Sequence, residues 1–176
     1  MTRLIVCVRQ ALVAALVLVV GCAVVEAQPA RTVQDLRGRS VTLKRPATRL
    51  LIDDGRYMLA LALMHQNPGS IVAAWPHDTN RLGASAYKQL LSRQPSLGTL
   101  PRVASSAGTF SLEGALAARP DVALFTLGHG PTDAQVKQLE SAGIVVVFID
   151  FFTQPAANLE RSLLVLGTVV GRTTQA

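Results

Sequence analysis

Four short loops carry the side chains in this sequence that can do chemistry. Asp53-Asp54-Gly55-Arg56-Tyr57 follows one apolar run and Trp75-Pro76-His77-Asp78 a second. Gly128-His129-Gly130 follows a third and Asp150-Phe151-Phe152 a fourth. Together they offer a guanidinium, two imidazoles and several flat rings. Arginine presents a rigid fork to carboxylate or catecholate oxygens. Tryptophan and tyrosine add flat contact area with a polar tip. The set suits capture of an anionic, partly aromatic small molecule by Arg56, Tyr57, Trp75, His77 and His129. Two plainer readings stand beside this one. Trp75 can be core packing at the end of a strand, since tryptophan is highly buried on average. Arg56 can be a surface ion pair with Asp53 or Asp54.

Other chemistries find less support. The histidines are His65, His77 and His129, and no two have the i, i+4 spacing of a helical metal pair. His77 and His129 could meet across neighbouring loops with Asp78, which are ligand types for zinc or manganese. A loop histidine is more often an ordinary polar residue, so the expected site contains no metal ligand. Gly83-Ala84-Ser85-Ala86-Tyr87 misses the nucleophile-elbow pattern at its last position. No P-loop and no G-x-G-x-x-G follows a strand. A dinucleotide-binding enzyme lobe would place an acidic residue at the end of its second strand; here that strand ends in Trp75-Pro76. The expectation is a binding protein that does no covalent chemistry and carries no cofactor.

The elements that position these loops are legible from periodicity. Residues 49–52, 71–75, 122–127 and 144–149 are short apolar runs, as expected for strands covered on both faces. Helices are expected over residues 57–64, 85–92, 112–119, 133–142 and 159–170. Ser111 is the N-cap of the third, with Glu113 in its first turn and Pro120 as its stop. Thr132 and Gln135 form a capping-box pattern before the fourth, and Gly143 suits its exit. Residues 95–107 read as loop. Ahead of all this, residues 32–35 and 40–43 read as a hairpin turning at Gly38. Strand and helix alternate, so the fold class is α/β: a Rossmann-like three-layer lobe with a parallel sheet and an N-terminal β-hairpin.

The 176 residues are 49% hydrophobic and 16% charged, which is globular composition with a formal charge of +6. Without the first 27 residues, which hold Arg3, Arg9 and Glu26, 15 basic and 10 acidic side chains remain. The only loose basic cluster is Arg31, Arg37, Arg39, Lys44, Arg45 and Arg49. It lacks the density and aromatic platforms of a nucleic-acid surface, and no nucleic-acid partner is expected.

Residues 1–27 read as an export signal: Arg3 and Arg9, the apolar run 11–20, then Val25-Glu26-Ala27 as a cleavage site. The run is short for a membrane span. Val19-Val20-Gly21-Cys22 also resembles a lipoprotein box, which would acylate Cys22. Either reading exports the protein. Both cysteines, Cys7 and Cys22, lie in this leader, so no disulfide framework is expected in the mature chain.

Three stretches carry a resemblance: the hairpin T-V-x-D-x-x-G-R-x-V-T-L, the following T-R-L-L-I, and S-L-E … L-A-A-R-P-D-V-A-L at residues 111–124. From about Thr32 to the end the chain resembles the N-terminal lobe of periplasmic substrate-binding proteins for iron-siderophore, haem and cobalamin ABC importers. The resemblance implies domains at 1–27 (signal peptide), 28–155 (substrate-binding lobe) and 156–176 (start of a long inter-lobe helix, with the second lobe absent). It implies a periplasmic monomer that captures a ferric siderophore-type iron chelate and delivers it to an inner-membrane permease. A haem, cobalamin, zinc or manganese cargo is the alternative. Arg56 and Trp75 match ligand-facing positions of the family, although its G-x-G-R reads Asp53-Asp54-Gly55-Arg56 here. Glu113 matches the glutamate that docks the first lobe on the permease; its plainer role is to complement the helix dipole. With the second lobe absent, Leu163, Leu164, Leu166 and Val170 of the last helix are expected to be exposed.

Overall fold

The computed structural model describes residues 30–77, 79–103 and 110–174. The leader with Cys7 and Cys22, Asp78 and residues 104–109 lie outside the described residues. Two strands, β1 (Arg31–Gln34) and β2 (Ser40–Leu43), pair antiparallel as the expected hairpin. Four more form a parallel sheet: β3 (Leu50–Ile52), β4 (Val72–Ala74), β5 (Val122–Thr126) and β6 (Val145–Ile149). Their order across the sheet is β4-β3-β5-β6. The helices are α1 (Tyr57–Met64), α2 (Thr79–Leu82), α3 (Ala84–Arg93), α4 (Leu112–Ala117), α5 (Asp133–Ser141) and α6 (Pro155–Val169). None is long and apolar enough to cross a membrane among the described residues.

Strand side chains alternate between two cores, as the period of two requires. Leu50, Ile52, Val122, Leu124, Val147 and Ile149 share one core with Tyr57, Met58 and Leu61 of α1 and Val165, Leu166 and Val169 of α6. Leu51, Ala123, Phe125, Val146 and Phe148 share the other with Ala115 of α4 and Val136 and Leu139 of α5. That is the three-layer α/β lobe expected from the alternation of elements.

The caps follow the sequence signals. The Ser111 hydroxyl accepts from the Gly114 N–H at 3.0 Å. At α5, Thr132 accepts from the Gln135 N–H at 3.3 Å, and the Gln135 side chain accepts from the Thr132 N–H at 2.9 Å. Removing the hydroxyl half of this reciprocal pair with Thr132→Ala should cost about 1 kcal/mol. That is a melting-point drop of about 2–4 °C, readable by circular dichroism; an unchanged melting point would mean water replaces the hydroxyl as acceptor for the Gln135 N–H.

Three of the six residues in the basic cluster around the hairpin are structural. Arg39 bonds Asp35, Glu140 and the Val146 carbonyl, and Arg37 bonds Asp133 while lying 3.6 Å over the Phe148 ring. Arg49 bonds the carbonyls of Ala118 and Arg119. The buried Asp35 carboxylate accepts from the Arg37 and Arg39 N–H groups and ties the hairpin turn to β6 through the Phe148 N–H. These arginines fasten the hairpin and the strand ends to the sheet.

Three expectations need correction. Residues 95–107 are not all loop, because Pro95–Thr99 winds into a 3-10 turn that buries Leu97. The helix Thr79–Leu82 was not expected, being too short for periodicity to register. Leu166 of α6 and Val170 just past its end are buried in the core instead of exposed, and Leu163 is half-buried; the exposed leucines of α6 are Leu159 and Leu164.

Candidate functional site

The chain runs from β3 outward to β4, then crosses back over to β5 on the other side of β3. The strand order therefore reverses between β3 and β5. Beyond the carboxyl ends of these two strands the connections diverge, which leaves a crevice where ligands of open α/β sheets bind. A cleft of about 340 Å³ lies there, lined by Asp54, Arg56, Arg81, Thr126, His129, Phe152 and Thr153.

Asp53 closes the floor. Its backbone N–H continues the ladder to Leu124, and its buried carboxylate accepts from the Thr126 N–H at 2.8 Å and from the Thr126 hydroxyl at 3.0 Å. The Tyr57 hydroxyl lies 2.6 Å from the same Thr126 oxygen. Burial pushes the Asp53 carboxyl up to about 7, against the lowering effect of its Thr126 bonds; the neighbouring Asp54 charge pushes the same way as burial. Burial also holds the Tyr57 hydroxyl well above its usual range, helped by Asp53. Gly130 closes over this floor with φ +91°, a left-handed conformation that favours glycine. A Cβ there would meet Phe125 at 3.2 Å and the Asp53 Oδ2 at 3.3 Å.

Asp54 organises the cationic rim. Its side chain accepts the Arg56 N–H at 2.9 Å, a local turn that opens α1. It then takes the Arg56 guanidinium as a fork, Nε to Oδ1 at 2.9 Å and Nη2 to Oδ2 at 2.7 Å. Arg81 adds a third contact to Oδ2 at 2.8 Å. Burial works against the Asp54 charge, but its bonds to Arg56 and Arg81 outweigh it and hold the carboxyl below the usual range. Two guanidiniums therefore meet on the one Asp54 carboxylate. Arg56 lies 3.4 Å over the Phe152 ring, which stacks on Tyr57 at 5.8 Å between centroids. Asp150 fixes the loop that carries Phe152. It accepts the N–H groups of Phe152, Thr153 and Gln154 and the Asn158 side chain. Burial opposes its charge; the bonds from Asn158 and those backbone groups prevail and lower the carboxyl to about 2.

The expected contact residues divide three ways. Arg56 and His129 line the cleft. Tyr57 and Trp75 are fully buried and offer a ligand no surface in this arrangement. Tyr57 supports Phe152 from below. Trp75 belongs to the core, with its indole N–H donated to the Leu97 carbonyl at 2.9 Å and its ring stacked on Tyr87. His77 joins that second cluster, 4.8 Å from the Trp75 ring and 2.9 Å from the Leu100 carbonyl, away from the lining of the cleft. The alternative metal trio of His77, His129 and Asp78 finds its two histidines in different places, and Asp78 lies outside the described residues. Among the described residues no three His, Cys, Asp or Glu side chains converge on one point. Glu113 is exposed in the first turn of α4.

Arg81, Thr126 and Thr153 were missed. Arg81 sits on α2, in the loop region after β4 that also holds His77. A basic side chain in a strand-end loop was the available signal. Thr126 reads simply as the last residue of a strand.

No protein-family model and no curated protein matches the sequence. Solved structures match in fold. The TroA-like periplasmic binding protein FepB of Veillonella parvula superposes with a TM-score of 0.68 at 24% identity, over 82% of this chain and 43% of that one. The Haemophilus influenzae periplasmic binding protein MolA, bound to molybdate, gives 0.63 at 19% over 82% and 48%. The heme binding protein HmuT gives 0.56 at 17% over 83% and 42%. The superpositions show a shared fold, and the chain spans less than half the length of each of the three.

Proposed function

We propose that the chain is the N-terminal lobe of an ABC importer's substrate-binding component. It captures a ferric siderophore-type chelate in the periplasm and hands it to the permease. The observation that carries this reading is the pair of guanidiniums, Arg56 and Arg81, gathered on the buried Asp54 carboxylate beside Phe152 at the topological switch point. Charge-assisted bonds from guanidiniums suit the anionic oxygens of such a chelate, and the Phe152 ring suits its aromatic parts. The fold supports the reading too, because all three compared structures carry binding-protein names. An enzyme reading gains little from the first helix. The N–H groups of Arg56, Tyr57, Met58 and Leu59 bond within the turn that opens α1, so that terminus is no phosphate cradle.

Glu113 is the permease-docking residue of this proposal, and export through the leader places the lobe where the permease is. The test is calorimetric titration of the chain with a ferric tricatecholate chelate. Arg81→Ala should weaken binding by about tenfold or more, the worth of one charge-assisted hydrogen bond. Unchanged affinity in Arg81→Ala would remove the cleft as the binding site. Binding of iron-free zinc or manganese at one equivalent would replace the chelate reading with a metal one.

A further inference from the structure

A short chain of hydrogen-bonding groups runs under the cleft. The Thr126 hydroxyl lies between the Asp53 carboxyl, at 3.0 Å, and the Tyr57 hydroxyl, at 2.6 Å. Among the described residues these two are its hydrogen-bond partners. A hydroxyl has one proton to give and two positions at which it accepts. Tyr57 is fully buried and its hydroxyl bonds Thr126, so it donates there whichever form Asp53 takes; otherwise its proton would be buried without a partner. Beside a charged Asp53, the Thr126 proton goes to the carboxylate, Tyr57 fills one accepting position, and a lone pair is left over. Beside a protonated Asp53, the carboxyl and Tyr57 fill both accepting positions, and the Thr126 proton is left over. Thr126 lines the cleft, where the position left over meets the ligand. We propose that Asp53 sets whether Thr126 meets the ligand as a donor or as an acceptor, so that capture of an anion takes up a proton at Asp53. The proposal rests on the reading of the cleft as the site of an anionic chelate and adds the proton that is bound with it.

The geometry also says where the proton sits. Asp53 Oδ2 accepts the Thr126 N–H at 2.8 Å, so a proton on the carboxyl belongs on Oδ1, the oxygen that faces the Thr126 hydroxyl. The charged and titratable groups around Asp53 come from every element at this edge. Asp54 is its neighbour in the loop, and Arg56 and Arg81 bond that Asp54 carboxylate. Tyr57 stands where α1 opens, with Asp150 acting on it from the end of β6, and His129 lines the cleft. Burial and Asp54 oppose the Asp53 charge, Thr126 and Arg81 favour it, and the carboxyl titrates at about 7. An anion binds better to a donor than to a lone pair, so it binds the protonated form better. By linkage, affinity is then highest below about 7 and falls as pH rises through that value.

The test is calorimetric titration of the full chain with a ferric tricatecholate chelate, in pairs of buffers that differ in ionisation heat. The difference in heat within a pair counts the protons taken up. At about pH 8 the wild type should take up about half a proton or more per chelate, and its affinity should fall by up to about tenfold per pH unit above that. Asp53→Asn should take up none by this route and hold its affinity level, because its amide N–H donates to Thr126 as the protonated carboxyl does while its carbonyl still accepts the Thr126 N–H. Protons exchanged by the chelate itself are the same for both proteins and cancel in the comparison. Thr126→Val removes the donor and should weaken binding about tenfold below pH 7; an unchanged affinity there would overturn Thr126 as the group that meets the ligand. Equal proton uptake by the wild type and Asp53→Asn overturns the coupling while the cleft stands as the site. Uptake that survives Asp53→Asn and vanishes in His129→Gln gives the proton to His129 instead. Absence of binding at every pH overturns the coupling and the cleft reading together.

Discussion

Asp53 should make the fold less stable as pH rises from about 4 to about 7, and Asp53→Asn should remove that loss. The carboxyl titrates near 3.8 when exposed and near 7 in the folded chain. Between those values the folded state holds a proton that the unfolded state has released. Stability then falls with rising pH, because the native state binds more protons. The full effect of a shift of this size is about 4 kcal/mol, complete once pH passes about 7. The groups around Asp53 are Thr126, Tyr57, Asp54 and Arg81. Thr126 and Arg81 favour the charged form, but burial and Asp54 prevail. Asp150 and Asp54 act in the opposite sense: their folded values are lowered, so they support the fold above about 4 and lose that support as pH falls. Urea midpoints measured from pH 4 to pH 8 decide the matter. Parallel curves for the wild type and Asp53→Asn would mean that burial does not raise the Asp53 carboxyl, which then carries its charge in the native state across the whole range.

Trp75→Ala should cost about 3–5 kcal/mol, the range for removing a large buried aromatic side chain. The ring is fully buried, stacked on Tyr87, tilted against His77, and hydrogen-bonded to Leu97. The loss would lower the melting point by about 10 °C or more. Trp75→Phe keeps most of the packing but orphans the Leu97 carbonyl, and should cost about 1–3 kcal/mol. Trp75 is the only tryptophan, so emission reports on it alone. Its maximum should be blue-shifted, and iodide should quench it little until the protein unfolds. Ready quenching in the native protein would return Trp75 to the ligand-facing surface that its strand-end position first suggested.

Much of the architecture was legible in local pattern. The unbroken apolar runs at residues 122–127 and 144–149 suit strands with a core on each face, and their alternate side chains do enter two cores. Ser111, Thr132 with Gln135, and Gly143 each act on backbone groups within four residues of themselves. Their effect is therefore readable without the rest of the chain. The same locality explains why the strand-end loops could be named as the site's address: any parallel sheet sends its carboxyl ends to one edge.

What locality could not supply was which side chains on that edge face the same space. Arg56 and Tyr57 are adjacent, yet one lines the cleft and the other is buried beneath Phe152, because α1 rotates successive residues by about 100°. Trp75 and His77 end a strand as Arg56 follows one, but β4 is the outermost strand, and its end packs beneath Leu97 and Tyr87. Arg81 joins Arg56 on Asp54 across 27 positions, and Asp53 meets Thr126 across 73. The order β4-β3-β5-β6 brings these partners together, since it sets β3 and β5 side by side and sends their connections apart. Residue types along the chain specify the strands, the caps and the edge that bears the site. The burial of Asp53 and the shared carboxylate of Asp54 arise only when strands far apart in sequence become neighbours, because charge and burial depend on distance in space.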